Sequence, residues 1–218
     1  MADLRVLRIP DSTNVERIAL AAGHKGLTVD WVDVDPDDRR QVRELSGQDL
    51  VPVLIAEDGE VITDSPRILA RIEAQWPTPP LWPADPGDAA LADVFCHRFN
   101  EVWKGPPNRI AALLGPVEFD RGRLGDSEAR AVVDDTGRLR TWLDRFEERL
   151  EGQDFLGGDA FGICDVTAYP FLRYGVQAPT PEDTDPFHRV LHELGGFDTE
   201  SHPRLTAWVT RVAERPQA

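Results

Sequence analysis

An α/β half followed by an all-helical half is the architecture that this 218-residue sequence predicts. Three observations carry it. Short apolar segments alternate with amphipathic ones up to about residue 76. Five prolines then fall within residues 77–88, too many for a helix or a central strand. Beyond that stretch, period-two alternation disappears and helical spacing takes over.

Residues 4–9 read as an opening strand. The next segment, 15–25, places apolar residues at 15, 18, 19, 21 and 22, which is helical spacing, and Gly26 is a stop signal. Residues 28–34 set Val29, Trp31 and Val32 among polar residues and predict a second strand. A short helix over 39–45 ends near Ser46-Gly47. Strands at 53–56 and 60–63 flank Asp58-Gly59, a tight-hairpin signal. A helix over 68–76 completes the order βαβαββα, which packs as a mixed sheet between helices. Past the prolines, 89–103 and 127–150 are long helical patterns, with shorter ones at 165–174 and 204–215. Pro106-Pro107 interrupts the first of these, and 115–125 reads as a loop. The predicted partition is a domain at 1–77, a linker at 78–88 and a helical domain at 89–218.

Composition excludes several function classes. Thirty-nine acidic against 24 basic residues leave a net charge of −15, and no basic run offers a nucleic-acid footprint. The apolar runs are too short to span a bilayer, so no membrane partner is expected. The first residues lack the apolar core and cleavage site of a signal peptide, which predicts a cytoplasmic location. Two cysteines, Cys96 and Cys164, make no disulfide framework and fit a reducing compartment. Both suit small core positions. Cys96-His97 has no matching pair, so no metal site is expected. Lysine occurs only at 25 and 104 among the 24 basic residues, a bias that suggests a GC-rich genome.

Three short motifs carry the chemistry. Val51-Pro52 opens a strand where proline has no ladder N–H to give. Asp64-Ser65 starts a helix and gathers side-chain oxygens with free backbone N–H groups, suited to the charged end of a small ligand. Ser12-Thr13-Asn14 opens the first helix directly after the first strand. Each motif also has a purely local use: a trans proline at a strand start, or a helix cap.

In this order the motifs resemble the glutathione S-transferase family, whose N-terminal domain is thioredoxin-like and whose C-terminal domain is helical. The spacing of Ser12, Arg17 and Lys25 is similar to that of the serine-type phi and tau classes. The resemblance implies a catalytic Ser12 that donates a hydrogen bond to the thiol sulfur of glutathione and favours the thiolate, the reactive form. It implies a cis bond at Val51-Pro52, with the Val51 backbone pairing the cysteinyl unit as a strand edge would. It implies that Asp64 and Ser65 hold the γ-glutamyl ammonium and carboxylate. Glutathione, or a related thiol, is then a co-substrate attacking a small hydrophobic electrophile, with no resident cofactor and a homodimer as the expected assembly. Phe99, Asn100 and Trp103, at helical spacing, are candidates for an acceptor pocket between the halves, or for ordinary core.

Some residues depart from the family pattern. Leu50 stands where many members place Lys or Gln to grip the glycyl carboxylate, with Gln48, Arg39 or Arg40 as candidate substitutes. Asp11 beside Ser12 would raise a thiol pKa if it faced the sulfur. Gly162 replaces the hydroxyl residue of a capping box whose other half, Asp165, is in place. Two other functions remain open on the same fold: a glutathione-dependent isomerase or lyase, and a non-catalytic ligand-binding or interaction module.

Overall fold

The computed structural model describes residues 3–115, 124–181, 183 and 185–218. The chain divides into two compact units: Met1–Ala84 with Glu214–Ala218, and Asp85–Ala213. The loop expected at 115–125 lies largely outside the described residues.

The first unit runs β1 (Leu4–Arg8), α1 (Thr13–Lys25), β2 (Val29–Asp33), α2 (Arg40–Ser46), β3 (Val53–Ile55), β4 (Val61–Thr63) and α3 (Ser65–Gln75). Its sheet has the order β2-β1-β3-β4. β1 pairs β2 in parallel, and the other two ladders are antiparallel. This is the predicted mixed sheet. Alternation sends neighbouring side chains of β1 to opposite faces. Leu7 joins Val34, Val53 and the α2 residue Val42 in one cluster. Val6, by alternation, lies on the other face with its ladder partner Leu54. Ile18 of α1 and Ile68, Leu69 and Ile72 of α3 are almost wholly buried. Each such side chain contributes about 1.5–3 kcal/mol of transfer free energy.

Lys25 fastens the far ends of the two long helices. Its side chain is fully buried, and Nζ lies 2.6 Å from Glu73 Oε2. It also donates to the carbonyls of Trp76 (2.6 Å) and Pro79 (2.8 Å), satisfying acceptors beyond the end of α3. Gly26 follows at φ 67°, a turn that releases the chain from α1 without a Cβ penalty.

The second unit is helical: α4 (Pro86–Arg98), a π-helical stretch (Phe99–Trp103), α5 (Gly105–Leu114), α6 (Asp126–Arg149), α7 (Ile163–Leu172), a 3₁₀ turn (Arg173–Gly175), α8 (Pro186–Glu193) and α9 (Pro203–Ala213). Pro106 and Pro107 do break the pattern begun by α4, but they also occupy the first turn of α5. Their missing N–H groups would find no intrahelical partner there in any case. The α7 start is held by Asp165, which accepts from the Gly162 N–H at 3.0 Å, so this half of the capping box is built as the sequence predicts. Among the described residues, no helix is long and apolar enough to cross a membrane.

Candidate functional site

The sheet register brings the predicted motifs of the first unit to one place. Leu7 pairs with Val53, and Val53 with Thr63. The start of β3 thus lies between the last residues of β1 and of β4, so the residues just before Val53, just after Arg8 and just after Thr63 come to the same end of the sheet. Ser12 follows Ile9 through a turn closed by its own N–H on the Ile9 carbonyl, at 3.3 Å. Ser12, Val51, Asp64 and Ser65 therefore share the end of the sheet where β1 runs into α1 and β4 into α3.

Local geometry decides between capping and exposure for the two helix starts. Ser12 is the N-cap of α1 by backbone conformation, and its carbonyl accepts from Val15 and Glu16. Its hydroxyl makes no cap hydrogen bond. The half-buried hydroxyl is thus not spent on the helix, while the helix end adds positive potential beside it. Asp64 is the N-cap of α3, and its carboxylate likewise makes no cap bond and is exposed. Asp11 and Asp64 are the two non-glycine residues with positive φ among the described residues, at 65° and 76°. Such conformations cost about 1–3 kcal/mol each and persist where the surrounding structure imposes them. Here they bracket one sheet end. The Asp11 side chain is exposed.

Behind Ser65 lies a buried polar cluster. Arg17, 1% exposed, donates through Nη1 to Asn14 Oδ1 and to Ser65 Oγ, both at 3.2 Å. Ser65 Oγ in turn donates to Asn14 Oδ1 at 3.4 Å. A permanently charged guanidinium is thereby fixed under the site, stitching the first turn of α1 to the first turn of α3. Ser65 is itself 3% exposed with its hydroxyl engaged, so its backbone N–H at the helix start is the group suited to an anion. Asn14 is the member of the cluster that the sequence does not reveal. It stands within a capping triplet, and its partners lie three and 51 residues away.

The Val51–Pro52 peptide is cis. Pro52 is buried and Val51 half-buried, with Val51 packed against the Leu7 cluster. Leu50, just before it, is 69% exposed.

The acceptor-pocket candidates belong to the second unit. Phe99 and Trp103, each 2% exposed, stack at 4.5 Å between ring centroids on the π-helical stretch. Phe171 meets both edge-on. These two rings serve the core of the helical unit, whereas Asn100 is half-buried. Cys164 is buried and Cys96 partly so, both as free thiols. The neighbouring Cys96 and burial raise the Cys164 thiol well above its ordinary range, so it stays protonated. Among the described residues, no three His, Cys, Asp or Glu side chains are gathered to hold a metal ion.

Sequence models for the glutathione S-transferase N-terminal and C-terminal domains match residues 7–80 and 107–216. Glutathione transferase GST 23 of Zea mays is 29% identical over 211 residues, covering 95% of this chain and 84% of its own. A tau-class glutathione S-transferase structure from mango (Mangifera indica) superimposes with a TM-score of 0.76 at 21% identity. The overlap covers 98% of this chain and 90% of that one. The beta-etherase LigF from Sphingobium sp. strain SYK-6 superimposes with a TM-score of 0.77, also at 21% identity, covering 98% and 96%. Both family domains occur here in order, and the first spans the sheet end where Ser12, Val51 and Ser65 meet: the chain belongs to the glutathione S-transferase family.

Proposed function

We infer that the protein catalyses attack by the thiolate of glutathione, or a closely related thiol, on a small hydrophobic electrophile. The observation that carries this reading is the Ser12 hydroxyl. It is left out of its own helix cap, at the sheet end shared with Val51 and the start of α3. In the mechanism the thiol loses its proton to solvent. Ser12 Oγ–H donates to the sulfur anion, and the α1 N-terminus and the buried Arg17 charge lower the energy of that anion further. The sulfur lone pair then forms the carbon–sulfur bond, and the electrophile either takes up the electron pair or expels a leaving group. The Val51 backbone would pair with the cysteinyl unit. The exposed Asp64 carboxylate suits the γ-glutamyl ammonium, and the Ser65 N–H suits its carboxylate. Glutathione acts as co-substrate, and none of these steps calls on a resident cofactor or metal.

A hydrogen bond to a charged partner is worth about 1.5–3 kcal/mol, equivalent to roughly one to two pKa units on the thiol. Titration with glutathione, followed by thiolate absorbance near the ultraviolet edge, tests this. Wild type forms thiolate at neutral pH, and Ser12→Ala shifts the midpoint up by that amount. An unshifted midpoint in Ser12→Ala removes Ser12 from the chemistry.

We further propose a cytoplasmic homodimer. The free thiols fit a reducing compartment. A groove between α4 and α6 supports self-association. Leu91 and Val94 are 64% and 54% exposed beside it, and Arg98, Arg145 and Arg149 line it on a chain of net charge −15. Burying the exposed apolar side chains of Leu91 and Val94 against the same face of a second copy favours association. Val94→Glu should shift sedimentation toward the monomer; an unchanged dimer places the interface elsewhere.

A further inference from the structure

The anchoring proposed above leaves one end of the thiol ligand to be accommodated. The sulfur lies at Ser12, the cysteinyl backbone pairs with Val51, and the γ-glutamyl arm leaves toward the start of α3. The arm on the other side of the cysteinyl unit must therefore leave along Leu50 and the segment 35–49, which is tied to the residues just before Val51 through Asp49.

The groups waiting there are wrong for a carboxylate. Leu50 offers an apolar, 69% exposed side chain. The Gln48 amide is folded back on the backbone of Leu50: Nε2 donates to the Leu50 carbonyl at 2.7 Å, and Oε1 accepts from the Leu50 N–H. Arg39 donates to the carbonyls of Pro36 (3.1 Å) and Asp49 (3.0 Å). Arg40 forks onto the carboxylate of Asp38, and Arg43 pairs with Asp49 at 2.7 Å. Lys25 is buried at the far end of α1. Over 35–49 the carboxylates of Asp35, Asp37, Asp38, Glu44 and Asp49 outnumber the guanidiniums of Arg39, Arg40 and Arg43 by five to three. An incoming carboxylate would meet a surplus of negative charge and cations already satisfied by other partners.

We propose that this site selects γ-glutamyl-cysteinyl thiols whose arm beyond cysteine ends without a free carboxylate, in a neutral amide- or ester-like group. Glutathione with its free glycyl carboxylate is the weaker ligand. The apolar Leu50 side chain packs on the neutral end, and the acidic segment repels the charged one. The proposal rests on the anchoring by Ser12, Val51 and α3, and specifies which thiol that anchoring takes.

The test compares glutathione with its glycyl ethyl ester, in binding and in kcat/KM with one aryl halide. Wild type should prefer the ester by roughly three- to tenfold at low ionic strength, and added salt should narrow the gap. Leu50→Lys should reverse the preference by strengthening glutathione and leaving the ester nearly unchanged. Arg39→Ala should leave the wild-type ratio as it is. Tighter binding of glutathione than of the ester by wild type overturns the proposal. So does a selective loss of glutathione in Arg39→Ala, which would mean that Arg39 swings onto the carboxylate. If neither thiol binds and Ser12→Ala changes nothing, the anchoring itself fails, and the proposal falls with it.

Discussion

Asp165 is fully buried, and three donors converge on its carboxylate: the N–H of Leu156 (2.8 Å), the N–H of Gly162 (3.0 Å) and Nε1–H of Trp208 (2.7 Å). Burial pushes its pKa up to about 6, although the hydrogen bonds pull the other way. A carboxyl with a raised folded-state pKa stabilises the fold fully below its unfolded value, and that stability is lost as pH rises through the folded value. The window here runs from about pH 4 to about pH 6, and two units correspond to roughly 3 kcal/mol at most. Asp165→Asn keeps an acceptor oxygen but turns an NH₂ toward one of the three donors, and it does not titrate. The advantage of wild type over Asp165→Asn in urea unfolding should therefore shrink between pH 4 and pH 7. An advantage that grows with pH would contradict this placement of the charge. At this scale the sequence is half legible. The spacing of Gly162 and Asp165 marks the cap, but the partner Trp208 lies 43 residues on, and nothing local points to it. Asn14 is hidden for the same reason, since its role comes from α3.

Helix starts divide into legible and illegible ones by what surrounds the signal. Asp85-Pro86 and Asp185-Pro186 both open helices. Asp85 accepts from the N–H groups of Gly87 and Asp88, Asp185 accepts from Phe187, and each proline sits in the first turn. The first signal is masked by the proline-rich stretch around it, which reads as linker, and the second by an acidic segment that reads as loop. The turn of π-helix at Phe99–Trp103 has no such local signature, and its two rings stack on each other within the aromatic core. Lys25 shows the reverse case. Its spacing from Ser12 is visible in the sequence, but its work is to join α1 to α3 through Glu73 and the carbonyls of Trp76 and Pro79. Lys25→Met keeps the stem but strands both carbonyls and removes the ion pair of Glu73, which is 21% exposed and keeps the Leu81 N–H as a donor. Stability should fall by about 1–3 kcal/mol, as for buried acceptors left without a donor. The thiol midpoint should stay at its wild-type value in protein that remains folded. A stable Lys25→Met protein with an altered midpoint would instead move Lys25 into the site.

The first unit is discontinuous in sequence: residues 214–218 return to it after 85–213 have formed the second. Ala218 donates its N–H to the Ala19 carbonyl (3.1 Å) and accepts from Trp31 Nε1 (3.2 Å). Arg215 Nη2 lies 3.0 Å from His24 Nδ1, and His24 Nε2 3.2 Å from the Pro80 carbonyl. A glycine in α1 permits this approach. A Cβ at Gly23 would stand 2.1 Å from the Pro216 carbonyl oxygen and 2.7 Å from the Gln217 Cα. Both are backbone atoms, so no side chain can swing away. In an isolated helix Gly23→Ala would gain about 1 kcal/mol. Here it displaces the returning segment and its hydrogen bonds to the unit, worth about 0.5–1.5 kcal/mol each. The loss outweighs the gain, so Gly23→Ala should be net destabilised by roughly 1–3 kcal/mol in chemical denaturation. The effect should depend on pH. Burial lowers the His24 pKa, and the charges of Arg215 and Lys25 add to it, against the Pro80 carbonyl and Glu73. A histidine with a depressed folded-state pKa contributes stability above its unfolded value of about 6.5, lost as pH falls toward the folded value. Protonation places a cation against Arg215 and removes the acceptor on Nδ1. Displacing the segment relieves both the burial and the Arg215 charge. The stability gap between wild type and Gly23→Ala should therefore narrow as pH drops from about 7 through about 6. A variant more stable than wild type would mean that residues 214–218 contribute nothing to the unit they rejoin, and a gap that ignores pH would remove His24 from that contact.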